Sequence, residues 1–168
     1  GVRTVASELV NDMRRLQRGE MSRSDFMAEY GHLRPGTYDI LSHRYDQMPD
    51  FGMSDTEVRP EQSATEFVLS GQQRGEIDQL LEAEGFPELD ADKLLEYVQA
   101  ATVGREYGKF VFTRSVSNML ELIAGFGERH GLSRDEMSHV PIGNLLDVVT
   151  KSSEGSIEER LRRIAEEE

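Results

Sequence analysis

Apolar residues recur at steps of three and four along most of the chain, which is the spacing of one buried face of an α-helix. The pattern is clear over residues 2–18 and 103–130 and in the segments that follow Ser70, Asp90 and Pro141. Start signals support these assignments, because a Ser followed three residues later by an acidic residue is typical of a helix N-terminus. Such pairs occur at Ser22/Asp25, Ser133/Glu136 and Ser156/Glu159, and glycines suited to end helices stand at Gly19, Gly31, Gly85 and Gly131.

Several segments interrupt the helical pattern. Residues 31–39 contain Pro35 and Gly36 and predict an irregular segment, after which a weak helical signal returns over 40–45. Residues 47–65 are polar and contain Pro49, Gly52 and Pro60, which predicts a mobile loop. Residues 66–69 form a short apolar patch that could be extended. Gly104 and Gly108 weaken the prediction that the pattern over residues 103–130 is one unbroken helix, because glycine weakens a helix interior.

These patterns predict an all-α fold, an irregular bundle of about seven helices with a Pro/Gly-rich loop after the second helix. We expect one helical domain over residues 1–168, since 168 residues suffice for one sizeable core. The chain starts with Gly instead of Met, and helical patterns run up to both ends. We therefore expect that the sequence is excised from a longer chain.

Composition excludes several classes of function. The net charge is -13, from 19 Lys+Arg against 32 Asp+Glu, which disfavours binding to nucleic acids and to anionic membranes. Cysteine is absent, which excludes disulfides and thiolate chemistry and fits a cytoplasmic protein. No stretch approaches the ~20 apolar residues of a transmembrane helix. The charge is uneven: residues 1–60 carry -2 and residues 61–168 carry -11, so the first part is better suited to an anion.

The segment from residue 30 to residue 46 holds the most unusual cluster of polar residues. Arg34 and Arg44 could hold a phosphate or carboxylate through paired N–H donors, with His32 donating to the same anion. The alternative is a tight Pro35-Gly36 turn whose charged neighbours form a local ion-pair cluster, and residue types alone favour this alternative. The candidate substrate-binding residues, including one on the later helix, are His32, Arg34, Tyr38, Asp39, Arg44 and Arg105.

Other chemistry has weaker support in the sequence. Arg105 lies near the start of the long helical region and could supply a second half of an anion pocket, although a solvated helix face explains it as well. A metal site from His32, Asp39, His43 and Asp46 is conceivable by residue type, but the spacing matches no known metal motif. No nucleophile–base arrangement is present, so we expect no catalytic residues, no metal and no cofactor in this chain.

Two blocks resemble one known family. The first runs from Glu29 to Ile40, with the letters EYGHLRPGTYDI, followed by Arg44-Tyr45. The second begins at Arg105-Glu106-Tyr107 and continues, after a long helix, to GLSRDEMSHVPI at residues 131–142. Together they resemble the central helical region of phosphoenolpyruvate synthase/pyruvate phosphate dikinase-like phosphotransferases, the group that includes rifampicin phosphotransferase. Leu33 separates the His-Arg pair that is adjacent in some members.

The resemblance implies a modular phosphotransferase that uses ATP and Mg²⁺. Its partners within the same parent chain would be an ATP-grasp domain and a phosphohistidine domain. This chain lacks a glycine-rich nucleotide loop and a Thr-Ser-His carrier segment, so we expect it to be inactive alone. We expect His32, Arg34, Asp39 and Arg44 to lie on the surface that faces substrate or carrier. The competing hypothesis is a self-contained acidic helical protein-interaction module, which predicts an exposed apolar patch and no convergent cation pocket.

Overall fold

A computed structural model describes residues 3–49, 51, 67–152 and 154–167. Within these residues it contains α-helices and one 3₁₀ helix, and no strand. The α-helices are α1 Val5–Gln17, α2 Arg23–Tyr30, α3 Gly71–Ala83, α4 Ala91–Arg129, α5 Arg134–Ser138, α6 Ile142–Thr150 and α7 Ile157–Glu167; the 3₁₀ helix is Tyr45–Gln47. The prediction of an all-α fold with about seven helices is confirmed.

Local capping explains where several helices begin. The Ser133 hydroxyl accepts from the Glu136 N–H while the Glu136 carboxylate accepts from the Ser133 N–H, a reciprocal capping box at α5. Ser156 and Glu159 make the same pair of bonds before α7. Gly85 and Gly131 have φ values of +88° and +77° just after α3 and α4. Glycine adopts this left-handed conformation without steric penalty, so both end their helices as predicted.

Helix α4 runs without a break for 39 residues from Ala91 to Arg129. Gly104 and Gly108, which weakened the prediction of an unbroken helix over residues 103–130, do not interrupt it. Each glycine weakens the helix by about 1 kcal/mol relative to alanine, but neither removes a backbone hydrogen bond, so the helix can continue through both.

The chain forms two compact units. The first unit comprises Gly1–Ser22 and Gly52–Val111, and the second comprises Arg23–Phe51 and Phe112–Glu168. Helix α4 contributes its first half to one unit and its second half to the other.

In the first unit, Leu69 and Ala91 are buried at 8% and 2% relative exposure. An ion pair between Arg74 and Asp92 joins α3 to the start of α4. The Asp78 carboxylate also accepts a 2.7 Å hydrogen bond from the Ala91 N–H. Polar contacts therefore hold α3 beside the first turn of α4.

The second unit contains the main hydrophobic core. Helix α7 packs against α5 and α6, and Leu161 of α7 is completely buried. Ala124 of α4 is also fully buried, so a small side chain lets the surrounding elements approach closely. The buried members of this core are Ile40, Ala124, Leu132, Met137, Leu145, Val148 and Leu161.

The segments between helices differ in part from expectation. The weak helical signal over 40–45 appears as a 3₁₀ helix shifted to Tyr45–Gln47. Residues 67–69 are neither helix nor strand, and Glu66 lies outside the described residues. Most of the predicted loop at 47–65, residues 52–65, also lies outside them. Within the described helices, none combines the length and apolar character required to cross a membrane.

Candidate functional site

The segment after α2 folds back on itself through local hydrogen bonds. The Asp39 N–H donates to the Gly36 carbonyl at 3.1 Å, and the Gly36 N–H donates to the Ser42 hydroxyl at 3.0 Å. The Asp39 carboxylate accepts from the Leu41 N–H at 2.9 Å. Gly36 is not among the residues with positive φ, but a Cβ there would lie 2.9 Å from the Asp39 Cβ. Close approach, and not left-handed backbone, therefore favours glycine at this turn.

Two backbone bonds close the segment at its base. The Tyr45 N–H donates to the Leu33 carbonyl at 2.8 Å, and the Asp46 N–H donates to the Gly31 carbonyl at 3.1 Å. The Tyr45 ring stacks on Phe51 with centroids 3.9 Å apart. These contacts hold the ends of the segment together, so its polar side chains occupy fixed positions.

Arg34 lies in the interior, with its side chain only 1% exposed. Its Nη1 donates to the Asp39 and Ser42 carbonyls at 3.1 and 2.9 Å. Its Nε and Nη2 both donate to the Ser117 hydroxyl, and Nη2 also reaches the Ser117 carbonyl. The last contact joins Nη2 to the Glu121 carboxylate at 3.0 Å. Protein acceptors thus surround the whole guanidinium, as burial of a charge requires.

Glu121 links this segment to α5. Its carboxylate accepts from Arg134 Nη2 at 2.6 Å and from Gln47 Nε2 at 2.6 Å, in addition to Arg34. Arg134 Nη1 also donates to the Ile40 carbonyl at 3.1 Å. We call Arg34, Gln47, Ser117, Glu121 and Arg134 the Arg34–Glu121 network. Glu121 is shared by two guanidinium groups, and Glu128, whose carboxylate lies 3.9 Å from Arg134 Nε, supplies a second negative charge.

The network shifts the titration of its carboxylate. Burial by itself would raise the pKa of Glu121, but hydrogen bonds from Arg134, Gln47 and Arg34 and the charge of Arg134 outweigh it. The pKa of Glu121 falls from 4.5 to about 2. Glu121 is therefore ionised throughout the physiological range, and its charge balances the buried guanidinium.

Arg44 makes a separate ion pair near the protein surface. Its Nε and Nη2 donate to the two carboxylate oxygens of Asp46 at 3.1 and 2.6 Å. Its Nη1 donates to the Asn118 side-chain oxygen at 3.0 Å. This two-point geometry is the one that an arginine offers to a phosphate or carboxylate, and in this structure Asp46 occupies it.

His32 is buried, with a relative exposure of 5%. Desolvation is the largest cause that lowers its pKa, and the charges of Arg114 and Arg44 lower it further. A backbone hydrogen bond at Glu29 and the charge of Asp46 oppose this shift, and the resulting pKa is about 4. The imidazole is therefore neutral at pH 7 and adds no positive charge to the segment.

The structure brings some predicted site residues together and not others. His32, Arg34, Asp39 and Arg44 lie in one segment of the second unit. Tyr38 in the same segment is 63% exposed. Arg105 belongs to the first unit, where it lies 3.0 Å from Glu106 with its side chain 77% exposed.

The expected surface location was wrong for His32 and Arg34. Both are buried, because the acceptors around the Arg34 guanidinium compensate its charge and the His32 imidazole loses its charge. Asp39 is exposed and Arg44 is partly exposed. The substrate-binding role of the six residues stays a prediction, and the geometry within the segment fits the alternative of a local ion-pair cluster.

Sequence reasoning missed Ser117, Glu121 and Arg134. A usable signal was present, because Thr113, Ser117 and Glu121 recur every four residues within an apolar stretch of α4. Polar residues with that spacing share one helix face, and Thr113 and Ser117 are 6% and 2% exposed. Among the described residues, no group of three or more His, Cys, Asp or Glu side chains is placed to hold a metal ion.

Comparisons with known proteins provide no further information on this site. No protein-family model matches the chain, and searches of the curated proteins and of the solved structures return no significant match.

Proposed function

We propose that this chain is a non-catalytic helical scaffold, and that its parent is a phosphoenolpyruvate synthase/pyruvate phosphate dikinase-like phosphotransferase. In this proposal the chain is the central helical region on the substrate side. The nucleotide-binding and phosphohistidine domains, together with ATP and Mg²⁺, belong to other parts of a cytoplasmic parent chain. The scaffold role is the part of the proposal that the geometry supports best.

The observation that best supports the proposal is a contact between the two sequence blocks that resemble the phosphotransferase family. Arg34 belongs to the first block and Arg134 to the second, and both donate to Glu121 at 3.0 and 2.6 Å. The Ile40 carbonyl of the first block also accepts from Arg134. Residues about a hundred positions apart in sequence therefore belong to one buried network, which supports a common structural role for the two blocks.

The arginine contacts favour a supporting role over catalysis. Phosphoryl transfer needs cations placed to neutralise phosphate oxygens in the transition state. The guanidinium of Arg34 is occupied by protein acceptors, and Arg44 is occupied by Asp46 and Asn118. We infer that these arginines hold the segment in shape while the reacting groups belong to other domains.

The proposal is tested by the coding sequence that flanks this chain in its gene and by nucleotide turnover. We expect an ATP-grasp segment upstream and a phosphohistidine segment downstream, and no ATP hydrolysis above the buffer rate when the purified chain is given ATP and Mg²⁺. A gene that encodes only these residues would overturn the parent assignment. ATP hydrolysis at ~1 s⁻¹ or faster would overturn the non-catalytic role.

A second function is supported by the exposed apolar side chains. A self-contained acidic interaction module predicts large apolar groups at the surface and cations that do not converge. Leu80 and Tyr97 of the first unit and Leu122 and Ile142 of the second are 65%, 71%, 69% and 58% exposed, which meets the first of these expectations. The flanking sequence separates the two candidates, because an isolated module needs neither accompanying domain.

A further inference from the structure

The end of α3 carries exposed apolar and acidic side chains together. Leu80, Phe86 and Leu89 are 65%, 49% and 39% exposed. Glu82, Glu84 and Glu88 are also exposed. We call residues 80–89 the α3 tip; it lies entirely within the first unit.

Backbone geometry places the apolar residues of the α3 tip close together. Gly85 has a φ of +88°, the Phe86 N–H donates to the Leu81 carbonyl, and the Gly85 N–H donates to the Glu82 carbonyl. These bonds define a Schellman motif, which turns the residue after the glycine back towards the last turn of the helix. The Leu89 N–H then donates to the Phe86 carbonyl. The chain reversal therefore brings Phe86 and Leu89 to the helix end that carries Leu80.

Carboxylates outnumber cations around the α3 tip, although Lys93 lies beside it: Lys93 Nζ donates to the Glu88 carbonyl at 2.8 Å and lies 3.5 Å from the Asp90 carboxylate. Residues 76–92 contain seven carboxylates and no Lys, Arg or His. Three of the carboxylates have structural contacts: Asp78 accepts from Ala91, Asp90 accepts from the Lys93 N–H, and Asp92 pairs with Arg74. A fourth, Glu76, accepts from a glutamine side chain.

The glutamates of the tip differ from these four carboxylates in their side-chain contacts. Among the described residues, the side chains of Glu82, Glu84 and Glu88 have no hydrogen bond or ion pair. The last turn of α3 contains no basic residue that would offset the partial negative charge of the helix C-terminus. Three carboxylates and a helix end thus outweigh the single charge of Lys93 in the stretch of chain that carries the three exposed apolar side chains.

We propose that the α3 tip docks a basic amphipathic helix of another protein segment. Its apolar side chains would cover Leu80, Phe86 and Leu89, and its Lys or Arg residues would pair with Glu84 and Glu88. Glu82 lies two positions after Leu80, about 200° around α3, and would add only longer-range attraction. A second copy of this chain fits less well, because two chains of net charge -13 repel each other. Anionic membranes and nucleic acids are disfavoured for the same reason. The inference rests on the α3 tip alone, so it and the parent assignment can fail separately.

The test is a titration of the purified 168-residue chain against a fluorescent helical peptide, followed by anisotropy. The probe is a peptide of roughly 14 residues built from Leu and Lys, with Leu at helical spacing on one face. The control peptide replaces every Lys by Glu and keeps the Leu pattern. We expect saturable binding of the Lys peptide that weakens with added salt, and no binding of the Glu peptide.

Variants distinguish docking at the tip from general charge attraction. Glu82→Gln, Glu84→Gln and Glu88→Gln combined should weaken binding about tenfold, as the loss of two exposed ion pairs and of a third nearby negative charge implies. Leu80→Ser with Phe86→Ser should weaken it at least as much, because apolar anchors carry much of such binding. The matched control combines Asp135→Asn, Glu154→Gln and Glu166→Gln, which makes the same charge change outside the tip and should alter binding less than about twofold.

The proposal is overturned by either of two results. One is the absence of saturable binding of the Lys peptide up to ~1 mM. The other is an equal loss of affinity in the tip variant and the control charge variant, which would mean that the whole acidic surface attracts the peptide. All substituted residues are exposed, so the variants are expected to fold, and circular dichroism verifies that they do.

Discussion

The Arg34–Glu121 and Arg105–Glu106 ion pairs join the same two residue types, but the arginine is buried in the first pair and exposed in the second. Within each pair, the arginine nitrogen lies 3.0 Å from the glutamate oxygen. The Arg34 side chain is 1% exposed and its Glu121 partner is 87 positions away, whereas the Arg105 side chain is 77% exposed and pairs with its neighbour in sequence. Removing one member of a buried ion pair leaves an uncompensated charge in the interior. At an exposed pair, water solvates the remaining charge, so the loss costs little. Burial and not distance therefore decides which pair the fold depends on.

The largest effect is expected from breaking the buried pair. Glu121→Ala leaves the Arg34 guanidinium charged and buried without its carboxylate. We expect a decrease in the free energy of unfolding of about 3–5 kcal/mol, measured by urea denaturation at pH 7. Glu106→Ala is the matched control, and we expect a change within about 0.5 kcal/mol.

A double variant refines this prediction. Arg34→Met removes the charge that Glu121 compensates, so adding it to Glu121→Ala should cost less than the sum of the single changes. Equal losses of stability in Glu121→Ala and Glu106→Ala would show that the network is no more important to the fold than an exposed pair.

The pH dependence of stability should distinguish the contribution of His32 from that of Glu121, because the two groups titrate in different pH ranges. The pKa of His32 is lowered from 6.5 to about 4, so between these values the unfolded chain binds more protons than the folded one. His32 therefore contributes no penalty above pH 6.5, and stability is lost as the pH falls from 6.5 to 4, by up to about 3 kcal/mol. The pKa of Glu121 is lowered to about 2, so its stabilising contribution is lost only below pH 4.5.

The measurement is the free energy of unfolding from urea titrations between pH 3 and pH 8. His32→Gln should flatten the curve between pH 6.5 and 4 and leave the fall below pH 4.5 in place. His139→Gln, at an exposed position, is the control and should leave the shape unchanged. An identical pH dependence in the His32 variant and the unaltered chain would contradict the assigned role of the buried imidazole.

The smallest effects come from two glycines of α4 with different surroundings. A Cβ at Gly127 would collide with the Met137 side chain, so Gly127→Ala should destabilise the chain by about 1–3 kcal/mol. A Cβ at Gly108 would meet nothing within 4 Å among the described residues. Gly108→Ala should therefore stabilise the chain by up to about 1 kcal/mol.

Thermal unfolding of both variants, followed by circular dichroism at 222 nm, checks the pair of predictions. We expect the midpoint to fall for Gly127→Ala and to rise for Gly108→Ala. Destabilisation by Gly108→Ala would mean that this position needs glycine for a contact that the described residues do not provide.

Much of the fold could be predicted because its signals are local. The spacing of apolar residues and the capping pairs at Ser133 and Ser156 depend on residues three or four positions apart. The continuity of α4 was harder to predict, because Gly104 and Gly108 each disfavour helix locally while the remaining residues of the 39-residue helix outweigh them. The candidate site was predicted only in part: residues 30–46 were recognised as a cluster, but their partners Ser117, Glu121 and Arg134 were not.

The sequence by itself determined that this protein is helical, strongly acidic and free of cysteine, because these properties follow from composition and short-range spacing. Only the tertiary structure decided which charged residues are buried. Arg34 and Arg105 are the same residue type, and nothing within a few positions of either one reveals its final exposure. The difference arises because the fold brings Ser117 and Glu121 to Arg34 from more than 80 positions away, and the burial of a guanidinium depends on acceptors that long-range folding supplies.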